Sequence, residues 1–348
     1  MWKFLLLTLT CVALPTNSWA QDNAVILLYH HVSNDTPNST SVTPEVFAQH
    51  MQYLADNHQV LDLKTVVEKL QNKQPLPDKT VVITFDDGYT NIYQNAHPIL
   101  KKFNFPYTIF INPALIGGAD YQLDWQQITE MGKEGVTFAN HGNAHIHSLA
   151  KLANESQQAW LTRVTDNVTS AEKLLKQKLG YSLKYFAYPY GEFNHLIQQK
   201  LTSLGYVGFG QQSGAIASYS DFSALPRYPA AGIYSRLDPL KVKLNSLAMP
   251  VSNISPTIAE LDLSTDKLNF SFQVNDKDIN PAQINCFKSG NKLEHNNHDG
   301  KISMHLNNMR KAGRHRVNCT APSKSYGNRY YWYSKPFFVP TAAGEWLD

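Results

Sequence analysis

Cysteine is scarce, charge is nearly balanced, and apolar runs long enough to cross a membrane are missing after the first few tens of residues. Each shortage excludes something. The 31 Lys and Arg residues against 28 Asp and Glu leave a formal net charge of +3, spread along the sequence. That argues against nucleic acid or an anionic membrane as the main partner and favours a neutral substrate. No second transmembrane stretch follows the N-terminus, and there is no internal repeat or low-complexity tract. With 348 residues, the chain has room for a large barrel and a satellite domain.

The N-terminus, MWKFLLLTLTCVALPTNSWA (1 to 20), places one Lys before a short apolar stretch and small residues near its end. It has the pattern of a secretory signal peptide cut after about Ala20, which implies a secreted or periplasmic protein with no transmembrane segment after cleavage. Pro15 interrupts the apolar run too early for a membrane anchor. A lipid-anchored reading through Cys11 fits less well, because Thr8, Leu9 and Thr10 before it make a poor lipidation box. If the segment is removed, Cys11 leaves with it. Only Cys286 and Cys319 then remain, an even pair in an oxidising compartment, and a disulfide is expected. On the chain-entropy model it would stabilise its domain by about 3 to 4 kcal/mol.

From 24 to 247, short β-rich runs alternate with helix-like segments, the signature of an α/β fold with a largely parallel sheet. The strand candidates are AVILLY (24 to 29), HQVL (58 to 61), VVITF (81 to 85), YTIFI (107 to 111), VTFA (136 to 139), KYFAY (184 to 188) and YVGFG (206 to 210). Thr43 with Pro44 behind it starts one helix, and Asp124 caps another. The pattern predicts a distorted (β/α) barrel of about seven strands, with an open doubly wound sheet as the alternative. MPVSNISP (249 to 256) has the composition of a linker, which is expected over 248 to 255. The stretch from 256 to 341 has short strands and turns without a convincing helix, which predicts a C-terminal all-β, sandwich-like domain.

Four clusters follow strand candidates. TFDDG (84 to 88) sets Asp86 and Asp87 side by side, which alone reads as a turn. NHGNAHIH (140 to 147) places His141 and His145 four apart; on a helical turn both imidazoles would share one side, as two nitrogen ligands of a divalent metal must. With a carboxylate as third ligand, such a set leaves coordination positions open for water and substrate. YHH (29 to 31) offers an imidazole with the pKa of a general acid near neutral pH. FAYPYG (186 to 191), the fourth, adds two tyrosines, and beyond these clusters LPR (225 to 227) offers one Arg. In (β/α) barrels the ends of the strands are where active sites assemble.

TFDDG, then H-x-x-x-H at 141 to 145, then Y-P-Y-G at 188 to 191, in that order, resembles the polysaccharide deacetylase (NodB-homology) family of carbohydrate esterases over roughly 25 to 247. The resemblance implies metal-dependent removal of acetyl groups from a sugar polymer. It implies Asp86 as catalytic base, Asp87 with His141 and His145 as metal ligands, and a Tyr190 backbone N–H for the oxyanion. The Arg usual before Tyr-Pro-Tyr-Gly is replaced by Phe186 and Ala187, and no Leu-x-His motif closes the barrel. The early YHH and the LPR resemble the histidine and arginine motifs of the branch that includes secreted poly-N-acetylglucosamine deacetylases. They point to His30 as general acid, His31 as its reserve and Arg227 as the partner of Asp86, with Tyr188, Tyr190 and His31 as substrate contacts. The expected cofactor is one divalent ion, zinc first and nickel, cobalt or iron as alternatives. The expected partner is an acetylated polysaccharide or oligosaccharide of the poly-N-acetylglucosamine or chitin type. Two rival readings stand beside this one: an O-acetyl esterase acting on a plant or bacterial glycan, and a silent secreted carbohydrate-binding protein whose RYYWYSKPFF (329 to 338) stacks on sugars. On period two, that stretch reads more simply as the last strand of a sandwich, burying alternate aromatics.

Overall fold

The computed structural model describes residues 22 to 347; the expected signal segment, 1 to 20, lies outside them. Ala24–Tyr29 and Thr80–Phe85 are buried along their whole length, as continuous apolar runs are when helices cover both faces of a parallel sheet. They are the second and third strands of a seven-stranded path. Its order is Ala215–Ile216, Ala24–Tyr29, Thr80–Phe85, Tyr107–Ile111, Thr137–Asn140, Tyr185–Ala187, Val207–Phe209. All neighbours on the path are parallel except the first pair.

The expected strand at 58 to 61 shrinks to Gln59–Val60, which pairs with Thr80 and Val81 off this path. The remaining place on the path is taken by Ala215–Ile216, too short to show any alternation in the sequence. Residues 225 to 229 bridge the two ends of the sheet. Leu225 pairs with Phe209 of the last strand on the path, while Tyr228 and Pro229 pair with Leu27 and Leu28 of Ala24–Tyr29, the first strand in the sequence. The barrel is therefore drawn together by a segment that carries Arg227 at its middle.

The helices start where the sequence places them. Thr43 accepts from the Val46 N–H ahead of Pro44–Asn57, and Asp124 with Gln127 forms a capping box on Trp125–Lys133; each such cap contributes about 1 kcal/mol. Phe47, Met51 and Leu54, then Ile128 and Met131, turn into the barrel's shell.

Two further sheets face one another across a shared core. One has the order Leu247–Ala248, Tyr330–Val339, Gly313–Pro322, Asn285–Lys288, Asn291–Lys292; the other runs Val251–Ser255, Leu268–Val274, Lys301–Leu306, His295–His298. Val251–Ser255 falls within the expected linker and is instead an edge strand antiparallel to Leu268–Val274. An edge tolerates the Ser, Asn and flanking Pro that made it read as a linker. Cys286 and Cys319 stand directly opposite in adjacent strands and form a disulfide. The aromatic stretch is the strand Tyr330–Val339, with Tyr331, Phe337 and Phe338 buried.

This β region docks on the barrel's flank. Trp332 meets Tyr228 edge-on at 5.5 Å, Phe338 meets Phe193 at 5.6 Å, and Arg329 pairs with Asp78 at 2.7 Å. Among the described residues, no helix is long and apolar enough to cross a membrane.

Candidate active site

The register of the parallel strands gathers the residue after each strand on one edge. Tyr29 pairs with Phe85 and Ile111 with Asn140, so His30, Asp86, Asn112 and His141 emerge together at the C-terminal end of the sheet. The Asp86 N–H donates to the Tyr29 carbonyl and the His141 N–H to the Ile111 carbonyl, both at 3.0 Å, extending each ladder by one residue.

Asp86 is fully buried and held by Arg227, itself fully buried. Nη1 donates to Oδ1 and Nη2 to Oδ2, each at 2.7 Å, the bidentate fork that makes Arg the strongest partner for a carboxylate. Arg227 is held in turn by the Gly210 carbonyl, which accepts from Nε at 2.9 Å, and by the Phe110 ring, 5.3 Å from the guanidinium. Burial alone would raise the Asp86 pKa; the Arg227 charge, then His141 and the Arg227 hydrogen bonds, outweigh it and hold the carboxyl below its usual range.

Asp87 does not continue the strand. Its φ is +71°, in the left-handed region, which Asp visits more readily than most residues. Gly88 follows at φ +69°, where an added Cβ would stand 2.8 Å from Ile111 Cγ2, so the turn needs glycine both for conformation and for space. The turn sends the two carboxylates apart. Asp86 goes to Arg227, while Asp87 Oδ1 comes to rest 3.2 Å from His141 Nε2 and 3.3 Å from His145 Nε2.

His141 and His145 do converge, but not on a helical turn, because residues 141 to 147 form an irregular loop. Three asparagines shape it. Asn112 donates to the His141 and Gly142 carbonyls, Asn140 accepts from the Gly142 N–H, and Asn167 both accepts from and donates to the Ala144 backbone. Sequence reasoning missed all three, although Asn112 and Asn140 each end an apolar strand and both are fully buried. A fully buried amide must find partners, and these find the loop.

Three features fit a cation. Asp87 Oδ1 and His141 Nε2 are buried and lack a hydrogen-bond partner, an expensive state unless something else binds them. His141 Nδ1 donates to the Ala187 carbonyl at 2.8 Å, which fixes the tautomer so that Nε2 presents its lone pair to the cluster. The three ligand atoms lie within 4.8 Å of one another, and the spacings of 3.2 and 3.3 Å from Asp87 match the roughly 3.3 Å edge of a tetrahedron with bonds of about 2.0 Å. Burial would raise the Asp87 pKa, but the three neighbouring histidines outweigh it and keep the group ionised. Burial and the charge of His141 lower the His145 pKa to about 4, leaving its imidazole neutral as a ligand must be.

His30 is half-buried and close enough for its charge to help lower the pKa of both carboxylates. His31 is placed otherwise. Its ring stacks on Tyr89 at 3.7 Å and its Nδ1 accepts from Asn91. Burial, with His30 beside it, lowers its pKa to about 4, so it is neutral near pH 7 and ill suited to donate a proton. Tyr188 corrects the expectation of a substrate contact: it is fully buried, donates its hydroxyl to the Ser223 carbonyl and packs on Phe186 and Phe193. Tyr188 thus turns into the core, while Tyr190, two positions on, stays at the edge.

Tyr190 has φ +56°. Its ring meets His145 edge-on at 4.4 Å and stacks on His147 at 3.9 Å. His147 is tied by Nδ1 to Glu192 Oε1 at 2.8 Å, and burial raises the Glu192 pKa, opposed by His147.

Residues 73–209 match the family model described as Polysaccharide deacetylase. Over 210 residues, 58% of this chain and 71% of the relative, the sequence is 30% identical to the poly-beta-1,6-N-acetyl-D-glucosamine N-deacetylase of Staphylococcus aureus. The enzyme of the same name from Escherichia coli is 25% identical over 252 residues, 62% of this chain but only 37% of the relative's length. Among solved structures, the Streptococcus pyogenes deacetylase PplD in complex with acetate is 25% identical with a TM-score of 0.57, covering 64% of this chain and 98% of that one.

Proposed function

Since the chain belongs to the polysaccharide deacetylase family, we propose that it is a metal-dependent hydrolase that removes N-acetyl groups from N-acetylglucosamine units of a polysaccharide, releasing acetate. The relatives named for poly-β-1,6-N-acetylglucosamine make that polymer the first candidate, with chitin-like glycans second. The observation that carries the reading is the pairing of two adjacent ionised carboxylates with different partners. Asp87 lies in a cluster of three metal-ligand atoms, two of them without a hydrogen-bond partner, and Asp86, the residue before it, is held ionised by Arg227.

Asp87, His141 and His145 would hold the divalent ion, zinc first for this donor set. When bound, such an ion polarises a carbonyl and makes water acidic near neutral pH. Asp86 takes the proton of the attacking water: each of its oxygens keeps a second lone-pair direction beyond the one given to Arg227. The Arg227 fork makes Asp86 a weak base, but one that is always ionised and aimed, which orientation rewards more than basicity. The Tyr190 N–H would face the oxygen on which negative charge develops, a contact worth about 3 to 4 kcal/mol of barrier when well placed. His30 gives its proton to the departing sugar nitrogen, so the amine leaves neutral as the C–N bond breaks. Water and acetamide are thereby converted to acetate and amine.

The disulfide and the signal-like N-terminus support a site of action outside the cytoplasm. The test is acetate release by chelator-treated protein from N-acetylglucosamine oligomers and from an O-acetylated xylan, with each divalent metal restored in turn. N-acetyl hydrolysis that returns with metal is expected. Hydrolysis of the ester alone would replace this reading with the O-acetyl esterase, and glycan retention without acetate release would replace it with the silent binding protein.

A further inference from the structure

The Tyr190 loop is held from two sides, and one of them is not the barrel. Arg314, in the Gly313–Pro322 strand of the five-stranded C-terminal sheet, donates from Nη1 to the Tyr190 carbonyl at 2.9 Å and to Gln211 Oε1 at 3.0 Å. From the barrel side, the Tyr190 ring lies flat on His147, 8° from parallel, and Glu192 fixes His147. Between these holds Tyr190 sits at φ 56° and ψ 5°. A tyrosine persists in that region only when its surroundings over-determine it. Because a peptide unit is planar, anchoring the carbonyl of Tyr190 while its ring is stacked sets ψ, and the Gly191 N–H, donating to the Tyr188 carbonyl at 2.9 Å, closes the turn around Pro189 and Tyr190, so that φ and the direction of the Tyr190 N–H are held as well.

We propose that Arg314 is a positioning residue for deacetylation: a guanidinium supplied by the C-terminal β region locks Tyr190 in the conformation that aims its N–H at the oxyanion. This rests on the reading of Tyr190 given above. It assigns the β region a part in turnover beyond docking, because docking has contacts of its own. Arg329 pairs with Asp78, Asn194 donates to Glu260 at 2.6 Å, and Trp332 and Phe338 bury their rings against the barrel. Gln211, the second acceptor, adjoins Gly210, whose carbonyl receives Arg227 Nε. Arg314 thus steadies the short stretch next to the partner of the base as well as the oxyanion loop.

The test compares Arg314→Ala, Arg314→Lys and, as a control on the same interface, Arg329→Ala. Arg314→Ala is expected to lower kcat and kcat/KM equally, about ten- to hundredfold, since an oxyanion contact acts in the transition state alone. Its KM, bound metal and melting temperature should stay at wild-type values. Arg314→Lys should recover part of the loss, and added guanidinium should recover part of it in Arg314→Ala. Arg329→Ala should melt earlier with kcat unchanged. Wild-type kcat in Arg314→Ala, or the same kcat loss in Arg329→Ala, would overturn the proposal. Should the wild type release no acetate from any N-acetylated glycan, the deacetylase reading fails by itself. A crystal structure of Arg314→Ala then decides this inference: Tyr190 is expected to leave the left-handed region, and Tyr190 still at positive φ would refute it.

Discussion

The barrel and the C-terminal sheets are built on opposite economies of polar groups. At the barrel's C-terminal edge, Asp86, Arg227, Asn112, Asn140 and His141 are buried together, and their charges are tolerable only through each other. The core of the two sheets is made of side chains such as Phe270, Phe272, Ile302, Val317 and Phe337 around the Cys286–Cys319 bond. The apolar core needs no partner to be stable, so removing one member costs contact area and a cavity. In the charged edge, removing one member strands the other. Chemistry resides where the fold has least slack.

The comparison breaks most sharply at the metal cluster. Asp87→Asn or His141→Ala should lose tightly bound metal and nearly all turnover. Asp86→Asn should keep the metal and lose about 10²- to 10⁴-fold in turnover. Metal analysis beside acetate release measures both; an Asp86→Asn protein with full activity would end the proposed division between the two carboxylates.

Next in size is Arg227→Met, which leaves a buried carboxylate without its counter-charge and should cost about 3 to 5 kcal/mol in urea unfolding. In the wild type the folded pKa of Asp86 is held below its unfolded value. The stability this contributes is present above the unfolded pKa of about 3.9 and is lost as pH falls through the folded value. Without Arg227, burial dominates and the pKa rises, so the sign reverses: stability falls as pH climbs above the unfolded value. The acid limb of the pH–rate profile should move upward with it. An unmoved limb would show that Arg227 does not govern the base.

The corresponding cut in the β region is milder. Replacing Cys286 and Cys319 together by Ala should lower the stability of that region by about 2 to 4 kcal/mol. Measured well below its transition, kcat should not change. A loss of kcat there would mean that the two regions are less separable than their cores suggest.

How much of this was legible follows the same divide. The strands around TFDDG and before NHG announced themselves as apolar runs that end in chemistry, and Thr43 and Asp124 marked helix starts by capping alone. What stayed hidden was whatever depends on distant pairing. A turn at DDG is readable from the letters, but not that it sends Asp86 to Arg227 and Asp87 to the two histidines. The His141–His145 approach depends on Asn167, a helix residue 22 or more positions later in the chain, and the contact between Tyr190 and Arg314 crosses 124 positions. Tyr188 and Tyr190 are identical letters one residue apart, and only packing sends one inward.

The smallest effect should separate the regions by acid. Burial lowers His31 and His58, both in the barrel, to pKa values of about 4. For each, the unfolded chain binds the extra proton between about pH 6.5 and 4, so stability falls as pH falls through that window. Hydrogen exchange across that range should show the barrel opening before the sheets, and His58→Gln should delay it. Sheets that open first would reverse the ranking of the two regions.

The segment from 225 to 229 gives the molecule a built-in order of events. Arg227 lies 141 positions after Asp86 and reaches it only by way of the stretch that bridges the first and last strands. Until that stretch is laid down, the barrel has no seam and Asp86 has no guanidinium to keep it ionised within the core. Closure of the fold and the pairing of Asp86 thus depend on the same stretch, so a chain in which 225 to 229 has not docked lacks the guanidinium that holds this carboxylate. The time course of returning activity on refolding should trace the sealing of the barrel.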